Sequence, residues 1–494
     1  MFRYMEQAEE AADEISKVYL KASRYISLEL DQIFERFRTK HRLSEKEALR
    51  LLNSLKDKTS LQELLEALRA GKSDKTKEKL LAELESAAYQ ARLERLQQLQ
   101  NQMDLVMQNV YNQEKIKSTS HYVDLANEAY YSSIFDIQKR TGLAFSFNAI
   151  DPKLINRVVN SEWSGANYST RIWKNTRALA QDLKEELLIN LLTGRTDREV
   201  ADVIANKFAR GASEARRLVR TESCNMTTQM DMVSYEECGI ETYIYVATLD
   251  LKTSDTCRSL DGKRFPVAEQ QPGKNCPPMH PWCRSVTICD ITDEELAQMK
   301  RRARDPVTGR TKTVPGNMTY QQWYDETVKG NAEAEAKEKA VRNRTADRKQ
   351  YEQYKKVLGK DVPDSLDSFQ EMKYNDIEKW NETKEIYRDV NWQSKALQKH
   401  TSGDARKAPF EHEPNSVYDK VENGKVVQRR YYGKTGKPRL DIDMTDHGNP
   451  KEHKTVPHYH NWNEFSDGKM KRDTDHNKPL KRGHEIANKD LLKG

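Results

Sequence analysis

Residues Ala215 to Asp250 read ARRLVRTESCNMTTQMDMVSYEECGIETYIYVATLD. The chain goes on through TCRSLDGKRFP, starting at Thr256, and CPPMHPWCRSVTICD, ending at Asp290. The first part has the composition of a long helix that stops at Gly239, a residue suited to the left-handed cap of a helix C-terminus. Thr242 to Thr248 is β-branched and aromatic and predicts a strand. Asp261-Gly262-Lys263 predicts a hairpin, with Phe265 beyond it. Cys276, His280 and Cys283 follow with the spacing C-x3-H-x2-C, downstream of Cys257. Two thiolates, a third thiolate and an imidazole suit a tetrahedral zinc site. The alternative is a reduced, partly buried set in a rigid turn. Pro277, Pro278 and Pro281 stiffen the turn in either case, because proline fixes its own φ and restricts its predecessor.

The ordered set of Arg220-Thr221-Glu222, a short strand, D-x-C-x-x-L-D-G-K-x-F (Asp255 to Phe265) and PPxHPxCR (Pro277 to Arg284) resembles the head-morphogenesis family of tailed bacteriophages. Two positions depart from that pattern. Ser285 follows Arg284 where relatives often carry a second cysteine, and Cys276 is additional. The resemblance implies a minor head protein that accompanies the portal, with portal and capsid proteins as partners. It implies localisation in the virion, after assembly in the host cytoplasm.

The chain has 494 residues, 32% of them charged and 36% hydrophobic, with a mean hydropathy of −0.93. This polarity predicts long solvated helices around a modest core. No apolar run is long enough to span a membrane, and MFRYMEQAEEAADEI lacks the apolar segment of a secretion signal. Six cysteines in such a chain favour reduced thiols or a metal over a disulfide framework.

The predicted fold is mainly α, with a small α+β head-morphogenesis domain, elongated helical arms and a separate small β-rich C-terminal module. Residues 1–117 predict an elongated helical arm. Val18, Tyr19, Ile26, Leu30, Ile33, Phe34 and Phe37 recur at helical steps, Ser44 and Glu47 form a capping box, and a second run covers Leu80 to Val110. Residues 118–290 predict the head-morphogenesis domain. There Leu179, Leu183, Leu187, Leu188 and Leu191 mark a helix stopping at Gly194. A further capping box is expected at Thr196–Glu199. Gly211 is expected to end that helix, and Ser213 to cap the one bearing Arg216, Arg220 and Glu222. Arg220 and Glu222 are expected to pin this helix to the β unit by ion pairs. Catalysis by them is not expected, since no nucleophile or base is spaced to use them. Residues 291–393 predict a charged helical linker, with a helix from Thr292 to Arg304. Its segments YKKVLGKDVPDSL and FQEMKYNDIEKW also resemble minor head proteins of this type.

Residues 394–494 carry 21 Lys and Arg against 15 Asp and Glu, and eight of the eleven histidines. Val426 to Tyr432 and Arg439 to Thr445 predict a hairpin in which Asp441 and Asp443 share one face. The block D-I-D-x-T-D-H-G-N-P-K-x-H with PHxH is similar to modules at the C-termini of some phage head proteins and bacterial polymorphic toxins. Asp441, Asp443, His447, His458 and His460 near basic residues suit nuclease chemistry. The alternative is a satisfied β-module whose polar groups make turns and hydrogen bonds. Ser466 to Gly494 is expected to be loosely ordered. The predicted function is therefore structural, in head morphogenesis and genome delivery, with contact to packaged DNA confined to basic patches. A virion-carried, toxin-like nuclease is the reading from a different class.

Overall fold

The structure is a computed structural model and describes residues 2–34, 41–71, 74–142, 144, 149–195, 197–446, 448–465, 469–475 and 477–492. Two compact units emerge: Met1–Arg304 with Arg310–Tyr324, and Asp305–Gly309 with Asp325–Gly494. The expected fold class is borne out, since helices dominate and a β-rich sheet occupies the C-terminal region.

The first unit opens with α1 (Phe2–Phe34), α2 (Glu45–Asn53), α3 (Leu61–Ala70), α4 (Lys75–Leu84), α5 (Ala87–Thr141), α6 (Pro152–Val159), α7 (Tyr168–Thr193) and α8 (Asp197–Glu237). α1 buries Ala8, Ala12, Ile15, Tyr19, Ala22, Ile26 and Leu30, a stripe at steps of three and four residues that faces the core. The side chains of Ile33, Phe34 and Phe37 lie outside the described residues. Ser44 caps α2 as expected, its hydroxyl accepting from Glu47 N while Glu47 accepts from Ser44 N at 2.9 Å. At 55 residues, α5 is about 80 Å long and runs without a break through the expected boundary at residue 117.

The sequence misleads at Gly211. Instead of ending one helix there and starting another at Ser213, α8 runs continuously for 41 residues. A Cβ on Gly211 would lie 2.7 Å from Leu179 of α7 and 2.8 Å from Tyr19 of α1. The glycine serves close helix approach, and packing offsets its intrinsic helix cost of about 1 kcal/mol. The capping box expected at Thr196 lies outside the described residues.

After α8, Gly239 adopts φ 68°, and Ile240 N donates to Tyr235 O at 2.8 Å, which closes the helix end. Next come β1 (Thr242–Val246), α9 (Asp255–Leu260), β2 (Arg264–Pro266), β3 (Val286–Cys289), α10 (Asp293–Gln298), β4 (Lys300–Arg304), β5 (Thr311–Pro315) and α11 (Tyr320–Thr327). The three-stranded sheet has the order β2-β1-β3, antiparallel throughout, with Ile244 opposite Arg264 and Ile288. β1 and β2 pair as a hairpin would, but α9 intervenes between them. Asp261 closes the connection: its buried carboxylate accepts from Ala247 N (2.6 Å), Arg301 (2.6 Å) and Tyr320 N (2.7 Å). The helix expected from Thr292 to Arg304 ends at Gln298. Lys300–Arg304 instead pairs with β5, because Ala303 is buried and Arg301 reaches Asp261.

The second unit holds α12 (Ala332–Leu358), α13 (Leu366–Asn375), α14 (Ile377–Ala396), β6 (His400–Gly403), β7 (Val417–Glu422), β8 (Lys425–Tyr432), β9 (Pro438–Asp443), β10 (His458–Glu464), β11 (Met470–Arg472) and α15 (Arg482–Ala487). Its sheet runs β11-β10-β9-β8-β7-β6, with only the β6–β7 pair parallel. The composition shift near Ser394 does not coincide with the boundary between units. Trp392 of α14 packs on Tyr431 of β8, and Asn488 Nδ2 donates to Gln393 Oε1 at 3.0 Å. Part of the stretch from Ser466 onward, expected to be loose, is regular: Met470–Arg472 forms β11 and Arg482–Ala487 forms α15. Ile486 joins the core of Tyr354, Phe369 and Trp380, and Asn488 is fully buried.

Candidate functional site

The tight turn His280-Pro281-Trp282-Cys283 is closed by Cys283 N donating to His280 O at 3.1 Å. Proline second and positive φ third suit a reverse turn, although here the third residue is Trp282, at φ 65°. A bulky residue in that region is strained, and the Arg220-Thr221-Glu222 segment of α8 holds it. Trp282 N donates to Thr221 Oγ1 at 3.1 Å, and the Arg220 guanidinium lies 5.4 Å from the Trp282 ring centroid. The ion pairs of Arg220 and Glu222 run to α1 and α7 and not to the β unit as expected. Arg220 pairs with Glu9 of α1. The buried Glu222 turns to α7 and its entry loop, accepting from Arg171 (3.2 Å) and Trp163 (3.0 Å), and burial pushes its pKa up. Behind the turn, Arg284 donates to Asp250 at 2.8 Å.

Cys257, His280 and Cys283 converge as predicted. Cys257 Sγ lies 3.4 Å from His280 Nε2 and 3.9 Å from Cys283 Sγ, and the three ligand atoms form a metal-capable group. His280 Nδ1 sits 2.8 Å from Pro281 O, which directs Nε2 toward the thiols. The hydrogen bond with Cys283, and then burial, push the Cys257 thiol up to about 11. Cys276 lies outside this group. It is buried in a different cluster, with Tyr243 and Cys289, where burial pushes it up to about 12. Cys224, directly after the Arg-Thr-Glu-Ser run, packs in a hydrophobic cluster with Cys257 and Cys283.

In the second unit, register builds another cluster. Leu440 and Ile442 of β9 enter the core, which sends Asp441 and Asp443 to the opposite face. His458 stands opposite Asp443, and His460 opposite Asp441. On the other side Gln428 and Arg430 of β8 face the same carboxylates. Arg430 binds Asp441 through two bonds of 2.7 and 2.8 Å. Asp443 accepts from Gln428 at 2.7 Å and pairs with Arg472. Nε2 of each histidine lies 3.6 Å from Asp443 Oδ2. His460 Nδ1 is 2.9 Å from Asp473 Oδ1, and His453 Nδ1 is 3.2 Å from His458 Nε2. Burial, then Arg472, lowers the pKa of His460. Asp443, His458 and His460 also form a metal-capable group. All three are fully buried, while the Arg472 side chain is 28% exposed. Of the residues predicted here, Asp441, Asp443, His458 and His460 come together, and His447 lies outside the described residues. Arg430, Arg472 and Asp473 carry no local motif, and only the strand register reveals them.

Residues 181–288 match the family model described as phage Mu protein F like protein. This segment holds the Arg-Thr-Glu helix, the small sheet and the His280–Cys283 turn, so the resemblance to tailed-phage minor head proteins is borne out. The NAD(+)–arginine ADP-ribosyltransferase EFV of Enterococcus faecalis is 24% identical over 265 residues, 50% of this chain and 53% of the relative. The chain thus spans about half the length of this curated relative. No solved structure matches. Among the described residues no helix is long and apolar enough to cross a membrane.

Proposed function

We propose that the protein is a minor component of the phage head, bound near the portal and acting in head morphogenesis and genome delivery. The observation that carries this reading is the family match over 181–288, which covers the Arg-Thr-Glu segment and the turn it holds. The Arg-Thr-Glu segment then acts as a structural clamp: Thr221 and Arg220 hold the turn, and Glu222 holds α7. Capsid and portal proteins are the partners. Contact with packaged DNA rests on local basic patches, because a net charge of +6 over 494 residues is too small for coating DNA by charge. Zinc at Cys257, His280 and Cys283 belongs to this proposal, as a clip that stabilises a small sheet with little core of its own. Disrupting the gene should leave cells producing few DNA-filled heads, with recovery when the chain is supplied in trans. Normal yields of filled heads without the protein would overturn the proposal.

A second reading has one observation in its favour: Asp441, Asp443, His458, His460 and Arg472 converge in the second unit. Imidazoles beside a guanidinium provide proton transfer and phosphate binding, the needs of phosphodiester cleavage. Incubating the full chain with RNA and with single- and double-stranded DNA tests this, with His460→Ala as the control. Cleavage lost in His460→Ala supports a nuclease. Intact substrates throughout leave the cluster as a core network.

A further inference from the structure

Three donors leave one corner of a tetrahedron open, and what fills it decides whether the site is structural or reactive. We infer that Cys224 of α8 is the fourth protein ligand of a zinc centre formed with Cys257, His280 and Cys283. The inference rests on the zinc reading above and fixes its ligand set.

Zinc–sulfur bonds of about 2.3 Å and zinc–nitrogen bonds of about 2.0 Å place tetrahedral sulfurs about 3.8 Å apart, and sulfur about 3.5 Å from nitrogen. The observed edges are 3.9 Å from Cys257 to Cys283 and 3.4 Å from Cys257 to His280. The trio therefore has the spacing of an assembled site. Cys224 is fully buried, packs in one cluster with Cys257 and Cys283, and has its own thiol 3.7 Å from Ser285 O; its sulfur stands outside the close group of the other three ligand atoms, so it joins the shell by turning about its Cα–Cβ bond. It approaches from the α8 side, whereas Cys257 comes from α9 and His280 and Cys283 from the loop before β3. Around it lie Tyr245, Ala247 and Met279, an apolar surround unsuited to a water ligand. Cys276, the thiol that sequence spacing selects, packs elsewhere.

A ligand from α8 changes what the metal does. Those three donors alone would only stiffen the small sheet, whereas adding Cys224 fastens that sheet to α8. The attachment lies four residues from Arg220 and three from Thr221, which already grip the turn. Binding deprotonates the three thiols and releases three protons to solvent, so the zinc carries a Cys3His shell.

Full-length protein, wild type and with Cys224→Ser or Cys276→Ser, should be purified without chelators. Bound zinc is then measured by elemental analysis, and the shell by X-ray absorption at the zinc edge. The expected result is one zinc per chain with three sulfurs and one nitrogen in both wild type and Cys276→Ser. In Cys224→Ser, competition against a chromophoric chelator should show zinc affinity reduced more than about 100-fold, beyond the loss expected from an outer-shell partner. Should Cys224→Ser fail to fold, the sulfur count in Cys276→Ser still decides. A shell that drops to two sulfurs there, or a wild-type shell with two sulfurs and an oxygen, overturns Cys224 as ligand while zinc stands. Folded wild-type protein without zinc overturns the zinc reading itself.

Discussion

Thr221→Val removes one oxygen and keeps the shape and β-branching of the side chain, so α8 itself should be little affected. Thr221 is 4% exposed. Its hydroxyl donates to Arg217 O at 2.7 Å and accepts the Trp282 N–H at 3.1 Å. The Arg217 carbonyl keeps its helical partner, so that loss is small. The Trp282 N–H loses its acceptor in a partly buried place, where an unsatisfied group costs about 1–3 kcal/mol. The extra methyl returns a fraction of this, leaving a net loss of about 1–2 kcal/mol. Thr221→Ser keeps the acceptor and should cost less than about 0.5 kcal/mol more than wild type, within the range of mild substitutions. Chemical denaturation of the purified protein, followed through tryptophan fluorescence, measures both. The reasoning predicts that Val is clearly worse than Ser. If the two are equal, or if both are neutral, the Arg-Thr-Glu segment does not hold the turn at Trp282.

Further substitutions and truncations probe separate parts of the molecule. Burial raises Glu114, bonded to Tyr19 at 2.7 Å, to about 7 from its ordinary 4.5, so stability present below about pH 4.5 is lost as pH rises through about 7, a change of about 3 kcal/mol. Glu114→Gln should flatten the decline in unfolding free energy between pH 5 and 8, and an unchanged slope would exclude this group as its source. Arg430→Met strips the fully buried Asp441 of its bidentate cation, leaving only Arg472 at 3.5 Å, and should destabilise the second unit by up to about 3–5 kcal/mol, with Arg430→Met/Asp441→Leu recovering most of it; calorimetry that shows equal losses for single and double variants would contradict this. Truncation after Tyr324 should leave a soluble chain that still enters particles, whereas truncation after Val390 should aggregate, because it removes the sheet and α15 on which α14 packs; sedimentation and particle composition distinguish the two.

The long-range organisation around residues 215–290 was legible because its signals are local. A glycine cap, a β-branched strand and proline-stiffened ligands each fix the backbone within a few residues. Gly211 shows where that logic stops. The same residue that ends helices also permits close helix approach, and only the positions of Tyr19 and Leu179 decide between them. The closeness of Cys224 to Cys257 and Cys283 was not legible for a related reason. Spacing along the chain favours Cys276, but it sits in the cluster around Tyr243, while Cys224 arrives from a helix 33 residues before Cys257. In the C-terminal unit, the alternation of apolar and acidic residues along β9 is enough to put Asp441 and Asp443 on one face. Pairing of β9 with β8 and β10 supplies Arg430, His458 and His460 as their neighbours. Strand register is a non-local property, and it also hid the role of α15. Asn488, in a segment that reads as polar and loose, satisfies Tyr431, Arg429 and Gln393 together.

The central claim is that this chain is built into phage heads. Quantitative mass spectrometry of heads purified before tail attachment tests it most directly. The account predicts peptides from both units in those heads, with the portal protein, at far lower copy number than the major capsid protein. Heads that contain portal and capsid protein but none of this chain, while it remains intact and soluble in the same lysate, would contradict it.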